Sequence, residues 1–143
     1  MIFSNDRVEL RGMMISSWQK FVAKQPLTAI EEQIARIIEL HPEYHNQFTM
    51  QNIDTDYLPD MGQVNPFLHI SLHLAIIEQV QTNRPAGINQ IYKDLLVKYN
   101  HDEHKVHHTM IDYLAEEMWS SQKYNCAPDE SKYLANLQGL ITK

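Results

Sequence analysis

The stretch from Asn65 to Val80, which reads NPFLHISLHLAIIEQV, constrains the fold of this chain more than any other. Asn65 is a favourable N-cap, and Pro66 suits the first helical position because no N–H group is needed there. At about 100° per residue, the apolar side chains cover nearly the whole circumference and leave a narrow polar strip near Ser71 and Glu78. The pattern predicts a buried helix, which is too short and too interrupted by histidine to span a bilayer.

Two histidines, His69 and His73, lie within this apolar surface. They are four residues apart, so a helix places them one above the other on a single face. Burying an imidazole ring costs free energy unless its nitrogens are hydrogen-bonded or coordinated. The sequence therefore predicts that both rings have polar or metal partners.

Apolar residues at helical spacing predict further helices on both sides of this segment. They are expected from Ser4, Asn5 or Asp6 to about Lys24, from the Thr28/Glu31 capping box to Pro42, from Gly87 to Asn100, from about Asp102 to Lys123, and after Pro128-Asp129-Glu130. The apolar stripes of these helices include Val22 in the first, Ile30 in the second, and Met118 and Trp119 in the fifth. Residues 46–63 lack periodicity and predict a long irregular connection. The expected architecture is all-α, a single-domain helical bundle of five to six helices over residues 1–143.

Composition excludes several classes of protein. The formal net charge of −6 and the absence of a Lys/Arg stripe argue against nucleic acid as a partner. Cys126 is the only cysteine, which excludes an internal disulfide and a cysteine-rich zinc site. No signal peptide or membrane span is evident, so a cytoplasmic location without a membrane partner is expected. No motif for an organic cofactor, such as GxGxxG or a P-loop, is present.

Three histidine pairs have i,i+4 spacing, which directs both rings of a helical pair to one side: His41/His45, His69/His73 and His104/His108. Two such pairs on facing helices supply four nitrogens for one metal ion. The predicted ligands are His69, His73, His104 and His108. Asp112 is expected as a further ligand or supporting acceptor, Glu116 continues the same row, and His45 is an outside candidate. Imidazole ligands suit divalent zinc, iron or nickel without choosing between them.

A metal-free alternative stays open, because eight histidines in a short chain produce some i,i+4 pairs by coincidence. In that reading the buried rings are structural, and the protein is a helical interaction or dimerisation module. A pH-sensitive assembly driven by histidine protonation is a third option. Ile70 stands where an HExxH motif needs its catalytic Glu, so metalloprotease chemistry is not supported. The sequence leaves open whether the protein is an enzyme and identifies no small-molecule substrate.

Several short motifs together resemble one protein family: FSNDR, LHPEYH, DYLP, NPFLH followed by LHLAI, RPAGI and APDE. It is a family of short bacterial proteins known only as a domain of unknown function. The resemblance covers nearly the whole chain and implies a bacterial protein of one domain. It implies no activity, substrate or catalytic residue.

Overall fold

The computed structural model describes residues 2–57 and 64–142, with side chains from Arg7 onward. These residues form α-helices and 3₁₀ helices and contain no β-strand, so the all-α class is confirmed for them. In chain order the elements are α1 (Ile2–Val22), α2 (Ala29–Glu39), the 3₁₀ helices Pro42–Gln47 and Met50–Asn52, α3 (Pro66–Thr82), α4 (Ile88–Lys98), α5 (Glu103–Lys123) and α6 (Glu130–Ile141). With the 3₁₀ helices included, the total exceeds the predicted five to six helices.

By its internal contacts the chain divides into two compact units, Met1–Ser71 and Leu72–Lys143. The division falls inside α3, whose residues 66–71 belong to the first unit and whose residues 72–82 belong to the second. The single domain over residues 1–143 stays a prediction.

The first unit is built on the packing of α1 against α2. The predicted capping box is confirmed, because Thr28 Oγ1 accepts from the Glu31 N–H at 3.3 Å and the Glu31 carboxylate accepts from the Thr28 N–H at 2.9 Å. Lys20 of α1 donates to the same carboxylate at 2.8 Å and ties the two helices together. The apolar interior of this unit includes Met14, Ile15, Ile34, Ile37, Ile38, Phe48, Phe67 and Ile70.

The ends of α1 and α2 differ from the prediction. α1 begins at Ile2 rather than at Ser4, Asn5 or Asp6, and it ends at Val22. The chain leaves the helix through Lys24, whose φ of 58° is left-handed and incompatible with a further helical turn. Val22 and Ile30 flank this turn and are exposed, although the sequence predicts both on apolar stripes.

The predicted irregular connection is partly helical. α2 ends at Glu39, and Pro42 then starts the first 3₁₀ helix instead of continuing α2, as expected for a residue without an N–H donor. Arg11 of α1 holds the segment after the second 3₁₀ helix, because its Nη1 donates to three backbone carbonyl groups of residues 52–55. The last part of the predicted connection, residues 58–63 with Pro59, Asp60 and Gly62, lies outside the described residues.

The second unit contains the rest of α3 together with α4, α5 and α6, and α6 contacts both α4 and α5. Two of its helices begin at aspartate N-caps: Asp102 accepts from the Lys105 N–H at 3.1 Å, and Asp129 accepts from the Lys132 N–H at 3.0 Å. α4 begins after Gly87, whose φ of +99° is accessible to glycine at little cost. The core of this unit includes Leu72, Ile76, Ile88, Ile91, Leu95, Val106, Met110, Ile111, Tyr133 and Leu137.

The last turns of α5 are less buried than predicted. Trp119 is 60% exposed and Met118 is also exposed, although the sequence predicts both on the apolar stripe of the fifth helix. The Lys123 ammonium group lies 4.8 Å from the centre of the Trp119 ring, which gives the exposed indole a cation–π partner. The indole ring therefore lies against a charged side chain instead of the core.

α3 is not buried on every side, contrary to the prediction. Leu68 is 51% exposed. At about 100° per residue, Leu68 lies on the side of the polar residues Ser71 and Glu78, and about 200° from the fully buried Ile70. The exposed side of α3 therefore includes Leu68 beside Ser71 and Glu78. The opposite side of the helix is its buried face.

Candidate metal centre

The two histidines of α3 lie at the middle of its buried face. In a helical projection, His69 and His73 fall between Leu72 and Ile70, which are both buried. His73 is buried and His69 is partly buried. Because α3 continues through the division of the chain, it supplies one histidine to each unit.

In the first unit, His69 meets His41. Their Nε2 atoms are 3.1 Å apart, and the ring planes are inclined at 70°. His41 is fully buried at the start of the first 3₁₀ helix, directly before Pro42. Its Nδ1 lies 2.7 Å from the carbonyl oxygen of Ile37 in α2, so the end of α2 holds the ring by its second nitrogen.

Tyr44 covers the same pair of rings. It stacks on His41 with ring centres 5.6 Å apart and an interplanar angle of 8°, and its edge meets His69 at 5.6 Å. Burial raises the pKa of the Tyr44 hydroxyl, and the nearby Glu43 raises it further. The phenol group therefore stays neutral in the physiological range and adds no charge beside the two imidazoles.

In the second unit, His73 meets the histidines of α5. His73 Nε2 lies 3.0 Å from His107 Nδ1. The ring centres of His108 and His104 lie 5.6 Å and 5.9 Å from that of His73, and they are 4.1 Å from each other. α5 thus presents three histidine rings to one ring of α3.

The environment of His107 favours a neutral ring. Burial lowers its pKa, Glu103 opposes that shift, and His104 lowers the pKa further. Tyr92 stacks on His107 with ring centres 5.5 Å apart. A neutral imidazole has one acceptor nitrogen, so His107 can accept a hydrogen bond from His73.

The family comparison matches nearly the whole chain. The family described as "Domain of unknown function (DUF1841)" matches residues 6–139. The chain belongs to the DUF1841 family. No curated protein and no solved structure is similar to it at a significant level. The description of the DUF1841 family names no activity.

Four histidines of this DUF1841 chain each offer one ring nitrogen that can ligate a metal ion. They are His41 and His69 in the first unit, and His73 and His108 in the second. Three of these residues were predicted as ligands from the sequence, and His41 is the addition. His104, the fourth predicted ligand, lies beside His108 and stays a prediction.

The other residues singled out in the sequence have different surroundings. His45 Nε2 donates to the carbonyl group of Ile38 at 2.9 Å, and its ring lies 4.4 Å from that of Trp18. Asp112 and Glu116 are both exposed, so neither is buried beside the histidine rings as the predicted row required. No helix among the described residues of this DUF1841 member combines the length and apolar character that a membrane crossing requires.

Two histidines that contact α3, His41 and His107, are not predicted as ligands or partners from the sequence. The sequence predicts His41 on the apolar stripe of the second helix and in an i,i+4 pair with His45, but it does not predict that His41 is fully buried against His69. The sequence likewise gives no partner for His107, which precedes the predicted ligand His108. One local signal points to His41: Pro42 follows it and starts the first 3₁₀ helix, which places His41 at the N-cap.

Proposed function

We propose that the protein binds a divalent transition metal ion through histidine ring nitrogens, with His41, His69, His73 and His108 as ligands. The proposal rests above all on the orientation of the His41 ring. Its Nδ1 faces a backbone carbonyl oxygen at 2.7 Å, while its Nε2 faces Nε2 of His69 at 3.1 Å.

This orientation determines which nitrogen of His41 carries the lone pair. A carbonyl oxygen can only accept, so Nδ1 holds the proton, and Nε2 of the neutral ring is left with a lone pair. Histidines that ligate metals are characteristically held in this way, with the second nitrogen donating to a carbonyl or carboxylate oxygen. Two nitrogens bound to one tetrahedral zinc ion at about 2.0–2.1 Å are separated by about 3.3 Å, close to the distance in the His41/His69 pair.

Burial and helix geometry support the same proposal. His41 and His73 are buried, where an imidazole without a partner costs free energy. His69 and His73 are one turn apart on the buried face of α3, which is the spacing that directs two ligands to one ion. Zinc, iron and nickel all accept imidazole nitrogen, so the donor set leaves the metal open.

The proposal concerns binding and includes no reaction. Water activated by a metal needs a base that receives its proton. Asp112 and Glu116, the carboxylates that continue the His104/His108 row, are exposed. We also infer a cytoplasmic bacterial protein of one domain, with the NPFLH–LHLAI segment as the characteristic part of the family; these inferences come from the sequence.

Elemental analysis of protein purified without a His tag tests metal binding. After Zn²⁺, Fe²⁺ or Ni²⁺ is offered and excess is removed, we expect about one equivalent of metal to remain bound. The double variant His69→Ala/His73→Ala is expected to lose it. His101→Ala is the matched control, because His101 is an exposed histidine at the start of the same histidine-rich segment. Metal below about a tenth of an equivalent in wild-type protein would refute the proposal.

Single variants distinguish the two candidate ligand sets. If His41 is a ligand, His41→Ala weakens metal affinity more than His104→Ala does; the opposite order restores the set predicted from the sequence. A bound metal also stabilises the native state by mass action, by about 2.7 kcal/mol at a free concentration 100 times Kd. The thermal midpoint should therefore rise with added metal in wild type and in His101→Ala, but not in the double variant.

A metal-free interaction module is the second candidate, and the same 3.1 Å distance favours it. That distance also suits a hydrogen bond in which His69 donates to His41. In this case the double variant lowers the thermal midpoint, whereas wild-type protein holds no metal and shows no response to added metal. A concentration-dependent sedimentation coefficient would then identify a homodimer.

A further inference from the structure

The second unit contains a small pocket that the histidine residues do not line. It has a volume of about 210 Å³ and lies against α5 and α6. Its apolar wall is formed by Leu114, Met118, Pro85 and Pro128 together with the ring of Tyr133. Pockets for drug-sized ligands usually have about 300–1,000 Å³, so the occupant of this pocket must be small.

One carboxylate of the pocket is buried. Glu117 of α5 is only 7% exposed and lines the cavity. One of its oxygens accepts from the Asp129 N–H at 2.8 Å, immediately before α6. This hydrogen bond fixes the carboxylate group against the start of α6 and sets its direction within the pocket.

Among the described residues, the charge of Glu117 has no matching cation. No Lys, Arg or His side chain in the described part of the chain forms an ion pair with it, and none lines the pocket. Arg84 lines a neighbouring pocket instead, and Glu130 contributes a second carboxylate to both. Burying a carboxylate without a cation costs free energy that a cationic ligand would recover.

We propose that this pocket binds a small aliphatic primary amine in its ammonium form. The ammonium group donates to the Glu117 carboxylate, and the alkyl chain occupies the wall formed by Leu114 and Met118. An ammonium group carries three donors and no acceptor, which suits a site with two carboxylates and the amide oxygen of Gln79. The amide oxygen accepts from Tyr133 at 2.8 Å, so it is held in place at the same wall.

The proposal is independent of the metal centre, because none of the pocket residues is a histidine. It also discriminates between ligands of equal length. A neutral alcohol lacks the charge, and a carboxylate of the same length would bring two like charges together in a partly apolar site. We therefore expect pentylammonium to bind at least about tenfold more tightly than pentan-1-ol, and pentanoate to show no binding.

NMR titration of the wild-type protein with these three compounds tests the proposal. Pentylammonium should shift the amide signals of Leu114, Met118 and Tyr133, and the titration gives its Kd. Equal affinity for the ammonium compound and the alcohol would refute the charge recognition. Shifts confined to exposed acidic side chains elsewhere would refute the site.

Variants of two neighbouring glutamates separate charge from structure. Glu117→Gln keeps an oxygen that accepts from the Asp129 N–H and removes only the charge, so pentylammonium should bind at least about tenfold more weakly and pentan-1-ol equally well. Glu116→Gln is the matched control at the exposed adjacent position, and its affinity should not change. Leu114→Phe reduces the volume of the pocket and should abolish binding of both compounds while Glu117 is retained. Unchanged affinity in both Glu117→Gln and Leu114→Phe would overturn the proposal.

Discussion

Replacing Arg11 with methionine should destabilise the first unit by about 3 kcal/mol. Arg11 is 5% exposed, and its Nη1 donates to the carbonyl groups of Asn52, Ile53 and Thr55 at 3.2, 3.3 and 2.8 Å. Nη1 has two hydrogens for these three acceptors, so we count two charge-assisted bonds at about 1.5 kcal/mol each. Contact with the Phe67 ring, 4.7 Å from the guanidinium carbon, adds about 0.5–1 kcal/mol, which the apolar methionine partly replaces.

Urea unfolding followed by far-UV circular dichroism measures this loss, and amide hydrogen exchange of residues 52–55 shows whether the segment is released. Arg7→Met is the matched control, one helical turn earlier on α1. Arg7 pairs with Asp56, but 35% of its side chain and 78% of that of Asp56 are exposed, so the pair is worth about 1 kcal/mol or less. Arg7 Nη2 also donates to the carbonyl groups of Asp54 and Thr55, so Arg7→Met should cost more than the ion pair alone but less than Arg11→Met, because Arg7 is the more exposed residue. A loss below about 1 kcal/mol for Arg11→Met, or a larger loss for Arg7→Met, would refute this account of the segment.

Two further predictions concern the interfaces between helices. The hydrogen bond from Lys20, together with the backbone N–H of Thr28, lowers the pKa of Glu31 to about 2 from its usual 4.5, so its stabilising effect is complete above pH 4.5 and is lost as the pH falls towards 2. Glu31→Gln should therefore reduce the acid-induced fall in thermal midpoint across that range, and an unchanged fall would contradict the assignment. In the second unit, Leu137→Ala should cost about 2–5 kcal/mol in urea unfolding, because the side chain is fully buried; a cost below 1 kcal/mol would mean that α6 does not pack as described.

Local signals were sufficient to predict most helix starts. Thr28, Asp102 and Asp129 each accept a hydrogen bond from a backbone N–H in the first turn of the following helix, as their positions before apolar stripes predicted. These caps act over three or four residues, so they are visible in the sequence without knowledge of the fold. The exposure of Val22 and Trp119 could not be predicted from such local signals, since it depends on where a neighbouring helix ends.

In the candidate metal site, too, the sequence predicts the features that depend on nearby residues but not the contacts between residues far apart in the chain. The spacing of His69 and His73, together with their apolar neighbours, was enough to predict two histidines on one buried face. Their partners come from 28 and 34 residues away, in the contacts of His69 with His41 and of His73 with His107. No periodicity connects such residues, so only the packing of each unit could identify them.

Asp112 and Glu116 of α5 show why a repeat of four residues does not predict which side chains are buried. Each step of four residues advances about 400° around a helix, so a row that starts at His104 moves by about 40° per step. Asp112 is therefore rotated by about 80° from His104, and Glu116 by about 120°, which carries both to the exposed side of α5. Glu117 lies 11 residues after Val106, or about 20° from it in projection, and thus falls on the buried face with that residue. A row that combines steps of three and four residues keeps to one face of the helix, and such a row from Val106 predicts that Glu117 is the buried acid.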